Sequence, residues 1–210
     1  MFGQGSIVAE ANRNRRFLNV EGLNVFDLRP LKPDGQPWNF NNRAGRQLAR
    51  STINEQDPEW IIGSPPCTSF CIWNRQLNYR KMPIEKVREA IAEGERHSRF
   101  CCSLYRRQRA RGKHFLHEHP ARALSWSHPA IASISQMVGI HLVTADQCMY
   151  GLTTRSADGE SRTPAMKTTK FLTSSIHMAR QLQTRCDHSH IHQQLVGGRC
   201  KDAAYDPLEL

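Results

Sequence analysis

Cys67 is the residue of this sequence whose type and position best suit a nucleophile. It follows an apolar run, residues 60–63, that predicts a buried strand, and Pro65 and Pro66 fix the backbone just before it. A thiol at the mouth of a buried strand, near a helix N-terminus and basic residues, can have a lowered pKa and attack an electrophilic carbon. The alternative interpretation is a tight Pro-Pro-Cys turn whose thiol is buried and inert.

Glu118 is a second candidate, because it stands where a predicted strand through Phe115 and Leu116 ends. A carboxylate at a strand end, flanked by His117 and His119, could hydrogen-bond the polar edge of a substrate or move a proton. The alternative is a surface acid paired with a neighbouring histidine or arginine, and Glu118 taken alone favours that alternative.

Metal-ligand residue types gather near the C-terminus. Cys186, His188 and His190 alternate along the chain, and Cys200 follows. Thiolates and imidazoles could close a four-ligand zinc site, which would be structural rather than catalytic. The spacing is not that of a standard zinc finger, and the alternative is a polar, frayed segment in which the histidines occur by chance.

Strands and helices that must position these residues alternate along the chain. Strands are predicted at 6–9, 23–28, 60–63, 115–116, 141–145 and 168–173, helices at 42–54, 83–111, 127–138 and 175–182, and a polar loop at 151–164. This alternation predicts an α/β fold with a mostly parallel sheet and helices on both faces. Ligands of such sheets bind beyond the carboxyl ends of the strands, so Asp27, residues 64–67 and residues 118–120 should meet at one edge.

Composition indicates a polyanionic partner. The chain has 210 residues, enough for one sizeable core, and a net charge of +10, which suits phosphate binding, although a merely solvated basic surface is the alternative. No run of eighteen apolar residues predicts a transmembrane helix, and the N-terminus does not resemble a secretory signal. We therefore expect an intracellular protein, nuclear in a eukaryote and cytoplasmic in a bacterium or phage, whose seven cysteines are mostly buried thiols.

Three short motifs resemble a known family. The stretch 64–70, Ser-Pro-Pro-Cys-Thr-Ser-Phe, resembles the catalytic loop of DNA cytosine-5 methyltransferases, in which Pro-Cys precedes a short polar stretch and Phe-Ser. Glu-His-Pro at 118–120 looks like that family's Glu-Asn-Val strand end. Residues 146–151, followed by 167–174, are similar to a segment of phage and mobile-element relatives. The motifs occur in the family's order and span roughly residues 60–175.

This resemblance implies a Rossmann-like class I methyltransferase fold over residues 1–183, with a Cys/His-containing tail at 184–210. It also implies that the Cys67 thiolate adds to C6 of a cytosine, while Glu118 holds the ring N3 and the exocyclic amine. C5 would then take a methyl group from S-adenosylmethionine, after the target base has left the duplex. Residues assigned to the cofactor are Glu10, Asp27 and Pro65, and those assigned to the substrate are Ser64, Thr68, His119, Arg155 and Arg162.

Departures from the family pattern favour a second hypothesis. Residues 9–14, where the family has a glycine-rich cofactor turn, contain no glycine, and His119 replaces the family's asparagine. Little chain remains for a target-recognition domain, so another chain could supply that function. The alternative is therefore a catalytically inactive, methyltransferase-fold domain that binds DNA or RNA. A third interpretation is a Cys-His hydrolase that uses His117 or His119, but no residue is identified to orient the base.

Overall fold

Two compact units divide the chain, one formed by Phe2–Glu59 and the other by Trp60–Leu210. The structure, a computed structural model, describes residues 11–13, 21–23, 26 and 35–204. The predicted strand at 6–9, Glu10 and Asp27 lie outside the described residues. Most of the predicted strand at 23–28 lies outside them as well.

One helix organises the described part of the first unit. Helix α1 (Arg43–Gln56) begins after Asn42, whose Oδ1 accepts a hydrogen bond of 2.6 Å from the backbone N–H of Gly45. It ends at Asp57, whose φ of 45° and N–H bond to the Ile53 carbonyl turn the chain out of the helix. The prediction of a helix over 42–54 is confirmed.

The second unit contains a four-stranded mixed sheet and a two-stranded antiparallel hairpin. The strands of the sheet are β1 (Trp60–Gly63), β2 (His114–Pro120), β3 (His141–Asp146) and β6 (Thr168–Thr173), and the hairpin pairs β4 (Thr153–Arg155) with β5 (Arg162–Pro164). The order of the strands in the sheet is β1-β2-β6-β3.

The predicted Rossmann-like, mostly parallel sheet is wrong for this unit. Strands β1 and β2 form the one parallel pair of the described sheet, while β6 runs antiparallel to both β2 and β3. A parallel return needs a crossover, usually an α-helix, and the 21 residues between β3 and β6 contain none. They form a 3₁₀ turn and the β4–β5 hairpin instead, where a loop over 151–164 was predicted.

Both faces of the sheet are covered. Helices α2 (Ile84–Ala110) and α3 (Pro129–Ser135) lie on one face, and α4 (Ile176–Gln181) leads into the other. The first face buries Cys102, Tyr105, Phe115, Ile131, Ile134 and Leu172, and the second buries Leu116, Ala145, Phe171 and Leu182. Consecutive residues of one strand, such as Phe115 and Leu116, therefore pack on opposite faces of the sheet, because side chains alternate along a β-strand.

The parallel pair fixes where the loop after β1 lies. Gly63 is in register with His117, so residues 64–67 continue beside the end of β2. Glycine is needed at two positions for this packing. A Cβ on Gly63 would lie 2.0 Å from the Tyr105 hydroxyl, and one on Gly94 of α2 would lie 1.8 Å from the Ser69 Oγ. Helix α2 thus packs directly against the turn that follows Cys67.

Candidate active site and metal cluster

Cys67 and Glu118 come together in one cavity at the carboxyl ends of β1 and β2. The cavity has a volume of ≈ 290 Å³, and its lining residues include Ser64, Cys67, Glu118 and Lys167. The Ser64 Oγ donates a hydrogen bond of 2.6 Å to Glu118 Oε2 and so orients the carboxylate, which is only 3% exposed. The predicted meeting of the two strand ends is therefore found for this pair of residues.

The pKa of the Cys67 thiol is raised above its usual value, so the thiol and not the thiolate predominates at pH 7. Its burial raises the pKa, and the nearby charge of Glu118 raises the pKa further, while Lys167 lowers it by a smaller amount. The expectation that the pKa of Cys67 is lowered is wrong, because the thiol is half-buried and lies near the carboxylate of Glu118. The turn after it, Thr68–Phe70, is a three-residue 3₁₀ segment and not the start of an α-helix. Attack by Cys67 therefore needs a base to take the thiol proton.

His119 holds the loop that carries Cys67. Its Nε2–H donates to the Pro65 carbonyl at 2.7 Å, which leaves Nδ1 to accept from the Ser125 hydroxyl at 2.5 Å. Burial lowers the pKa of His119 to about 4, although the Pro65 carbonyl opposes the shift. Both ring nitrogens are therefore used within the protein. This arrangement gives His119 a positioning role and makes it a poor base for a Cys-His hydrolase.

His117 stands on the same face of β2 as His119 and is fully buried, whereas Glu118 points to the other face. Its Nδ1 lies 3.0 Å from the hydroxyl of Tyr105, and the two histidine rings are 4.8 Å apart. Burial, and then the proximity of His119, lower the pKa of His117 well below the usual value. Both imidazoles are thus neutral at pH 7.

Acid should destabilise the second unit through these two histidines. Their pKa values are lower in the folded chain than in the unfolded chain, so the unfolded state binds more protons as the pH falls below about 6.5. The stability present above that pH is lost toward pH 4, and His119 alone accounts for on the order of 3 kcal/mol. Urea unfolding at pH 7.5, 5.5 and 4.5 measures the loss. His119→Gln, which does not titrate, should reduce the pH dependence, and an unchanged dependence would contradict the assignment.

The other residues predicted to bind substrate lie apart from the cavity lining. Thr68 begins the 3₁₀ turn, and its carbonyl accepts from Asn74 Nδ2 at 2.9 Å. Arg155 and Arg162 face each other across the β4–β5 hairpin and are exposed. The guanidinium of Arg162 donates to the Thr153 Oγ1 and carbonyl at 2.8 Å. The described lining of the cavity includes neither arginine.

Lys167 is a site residue that sequence reasoning used only as part of a motif. Because β6 runs antiparallel, its N-terminal end, and not its C-terminal end, lies beside the end of β2, where Thr169 pairs with Pro120. Lys167 therefore lines the cavity that holds Cys67 and Glu118. A mostly parallel sheet would have placed Lys167 at the opposite edge. Because β6 was predicted to run in the wrong direction, Lys167 was not predicted to be a site residue.

A second cluster of the same unit could hold a metal ion. The ligand atoms of Cys148, Cys186, His190 and His192 all lie within 4.8 Å of one another. Nε2 of His192 is 3.4 Å from both thiol sulfurs, and the Cys186 sulfur is 3.7 Å from Nε2 of His190. Burial and the neighbouring Cys186 raise the pKa of Cys148 to about 12, and burial, then His190, lower that of His192.

Two of the four predicted metal ligands belong to this cluster. Cys186 and His190 do, but His188 is exposed, with a φ of 60°, and contributes its backbone N–H, which donates to the Cys186 sulfur at 3.3 Å. Cys200 instead lines the Cys67 cavity and donates its thiol to the Leu195 carbonyl. Their places are taken by Cys148, which is 38 residues before Cys186, and by His192, which continues the Cys-x-His-x-His-x-His alternation.

Asp146, the last residue of β3, holds the segment of Cys186 close to the turn that carries Cys148. Its Oδ2 accepts from the backbone N–H of Cys186 at 3.0 Å and from Nε of Arg185 at 2.7 Å, and its Oδ1 accepts from Thr168 Oγ1. The 3₁₀ turn after it (Gln147–Tyr150) carries Cys148 and ends at Gly151, whose φ of 81° reverses the chain. A buried carboxylate thus anchors Cys186 beside that turn.

Comparisons of the chain with protein-family models, with curated proteins and with solved structures found no match. No helix in the described ranges is long and apolar enough to cross a membrane.

Proposed function

We propose that this chain is a DNA cytosine-5 methyltransferase-like enzyme, with Cys67 as the nucleophile and Glu118 as the residue that holds the target base. The observation that carries the proposal is that this thiol and this carboxylate, from two neighbouring parallel strands, share one cavity. The motifs at 64–70 and 118–120 support the same reaction.

The two side chains suit the addition step. The Cys67 sulfur forms a bond to C6 of the cytosine, the electron pair of the C5–C6 double bond becomes a C4–C5 double bond, and the C4–N3 pair moves onto ring N3. Glu118 takes the thiol proton and passes it to ring N3, where it offsets the negative charge that develops. The raised pKa of Cys67 makes this transfer necessary, and the hydrogen bond from Ser64 keeps the carboxylate oriented for it.

S-adenosylmethionine is the methyl donor that this chemistry requires, and when bound it supplies the methyl group for C5. The resemblance assigns Glu10, Asp27 and Pro65 to its site. Of these, Pro65 lies within the described ranges, and it lines the cavity beside Cys67. Support for the reaction therefore comes from the Cys67 thiol and the Glu118 carboxylate, which line the same cavity.

A nucleic-acid substrate is supported by the segment that follows the Cys67 loop. Trp73 is 71% exposed, and Arg75, Arg80 and Lys81 are exposed within the next eight residues. Exposed aromatic rings stack on bases, and cations neutralise phosphates, so this segment has the side chains that hold DNA. The net charge of +10 acts in the same direction.

Trapping on a fluorinated base tests the proposed function. DNA that contains 5-fluorocytosine, incubated with the protein and labelled S-adenosylmethionine, should give a covalent protein–DNA adduct that survives denaturing electrophoresis, because fluorine at C5 blocks release of the thiol. RNA with the same base is the comparison, and we expect DNA to be preferred. DNA binding without adduct or label transfer would overturn the enzyme and leave a nucleic-acid-binding protein.

We also propose that the Cys/His cluster binds Zn²⁺ in a structural role. Tetrahedral zinc with bonds of about 2.3 Å to sulfur and about 2.0–2.1 Å to nitrogen separates its ligand atoms by roughly 3.3–3.8 Å. Three of the four sulfur–nitrogen distances, 3.4, 3.4 and 3.7 Å, fall in that range, and every pair of ligand atoms lies within 4.8 Å. Two thiolates and two imidazoles complete four-coordination, which leaves no open position for a substrate.

A further inference from the structure

We infer that the metal at the Cys/His cluster holds one wall of the Cys67 cavity in place. The wall is formed by residues 195–203, which we call the cavity wall, and it contributes Leu195, Cys200 and Ala203 to the lining. This inference rests on the proposed zinc site and not on the proposed methyl transfer.

The cavity wall follows directly from the metal ligands. Residues 193 and 194 are all that separate His192 from Leu195. Between α4 and the 3₁₀ turn Arg199–Ala204, the chain contains no helix or strand of its own. A segment with so little regular backbone structure depends largely on its anchors for order, so the position of His192 limits how far Leu195 can move.

Within the described residues, a small apolar patch and polar contacts to the β4–β5 hairpin also anchor the cavity wall. Leu195 and Ala203 pack against Leu152 and Ala165 in a small satellite core. Just before the wall, the backbone N–H of Gln193 donates a hydrogen bond of 2.9 Å to the Pro164 carbonyl. Two hydrogen bonds join Arg199 of the wall to the β4–β5 hairpin. Its Nε donates to the Arg155 carbonyl at 3.1 Å, and its carbonyl accepts from Thr154 Oγ1 at 3.4 Å. An apolar patch of four side chains contributes little stabilisation compared with the conformational entropy that the wall loses when it is ordered.

The metal would link the cavity wall to the hairpin on which the wall packs. Cys148 lies four residues before Leu152, at the start of the hairpin on which the cavity wall packs, and His192 lies three residues before Leu195, the first residue of the wall. A single ion bound to both residues therefore fixes the wall and its support relative to each other. Loss of the ion should release the wall, open the cavity and expose the Cys67 thiol, while the sheet core stays folded.

Thiol alkylation with peptide mapping tests the inference. N-ethylmaleimide should modify Cys67 at least about tenfold faster after zinc is removed with a chelator, and Zn²⁺ should restore the slow rate. Cys102, which is 1% exposed in the sheet core, serves as the reporter of global unfolding. His192→Ala should reproduce the fast rate, whereas His188→Asn, a change at the exposed neighbouring histidine, should not.

Two results would overturn the inference. One is an unchanged rate at Cys67 after elemental analysis confirms that the zinc has gone. The other is an alkylation rate at Cys102 that equals the rate at Cys67 in the zinc-free protein, which would mean that the whole unit has unfolded and not that the cavity wall alone has been released. A protein that neither contains zinc nor binds added Zn²⁺ would overturn the zinc assignment beneath it. The fluorocytosine assay addresses the enzyme separately, so failure of one proposal is distinguishable from failure of the other.

Discussion

Changing Cys67 to Ala should reduce methyl transfer to cytosine by about 10³-fold or more, because the reaction has no nucleophile to form the bond at C6. Adduct formation on 5-fluorocytosine DNA should disappear completely. The affinity for unmodified DNA should stay nearly the same, since a half-buried thiol contributes little to holding a charged backbone. Label transfer, adduct yield and filter binding on the same preparation measure the three quantities.

Cys71→Ala is the matched control for this variant. Cys71 is a half-buried thiol at the end of the same loop, four residues after Cys67, and it is not among the cavity-lining residues. Its replacement should leave adduct formation within about twofold of the unchanged protein, as for a substitution away from the reacting atoms. Equal losses in both variants would indicate damage to the loop, and a fully active Cys67→Ala protein would remove Cys67 from the mechanism.

Local sequence patterns predicted the elements that carry this site but not the direction of every strand. An apolar run ending in Gly-Ser-Pro-Pro predicted β1, and apolar periodicity after Pro83 predicted α2. The parallel pairing of β1 and β2 then brought Cys67 to Glu118 as expected. The strand at 168–173 was also predicted, but periodicity is the same in either direction, so its antiparallel course, and with it the place of Lys167, could not be predicted.

Partial prediction of the metal cluster has a similar cause. The residue types around Cys186 indicated a zinc site, and two of the four ligands were found from the tail alone. Cys148 was missed because it comes close to the tail only after the chain has turned back at Gly151 and passed through β6 and α4. The choice between His188 and His192 depends on the left-handed turn at His188, which directs its backbone N–H, and not its ring, toward the sulfur of Cys186.

Removing the metal should lower the stability of the second unit substantially. A ligand that binds the folded state alone stabilises it by about 4 kcal/mol when its free concentration is 1,000-fold above its dissociation constant. For a chain of this size, that corresponds to a fall in Tm of roughly 10 °C. Differential scanning fluorimetry with and without a chelator measures the shift. His192→Ala should give the low Tm even in the presence of Zn²⁺, because three ligands remain for a four-ligand site.

His188→Asn separates a metal effect from a general cost of mutating the tail. Asparagine tolerates the left-handed φ of 60° at this position and keeps the backbone N–H that supports the Cys186 sulfur. The variant should therefore keep both the Tm of the unchanged protein and its response to the chelator. If it falls as far as His192→Ala, the tail is sensitive to any change and the cluster is not a specific metal site. If neither variant nor chelator changes the Tm, the four side chains do not hold a stabilising ion.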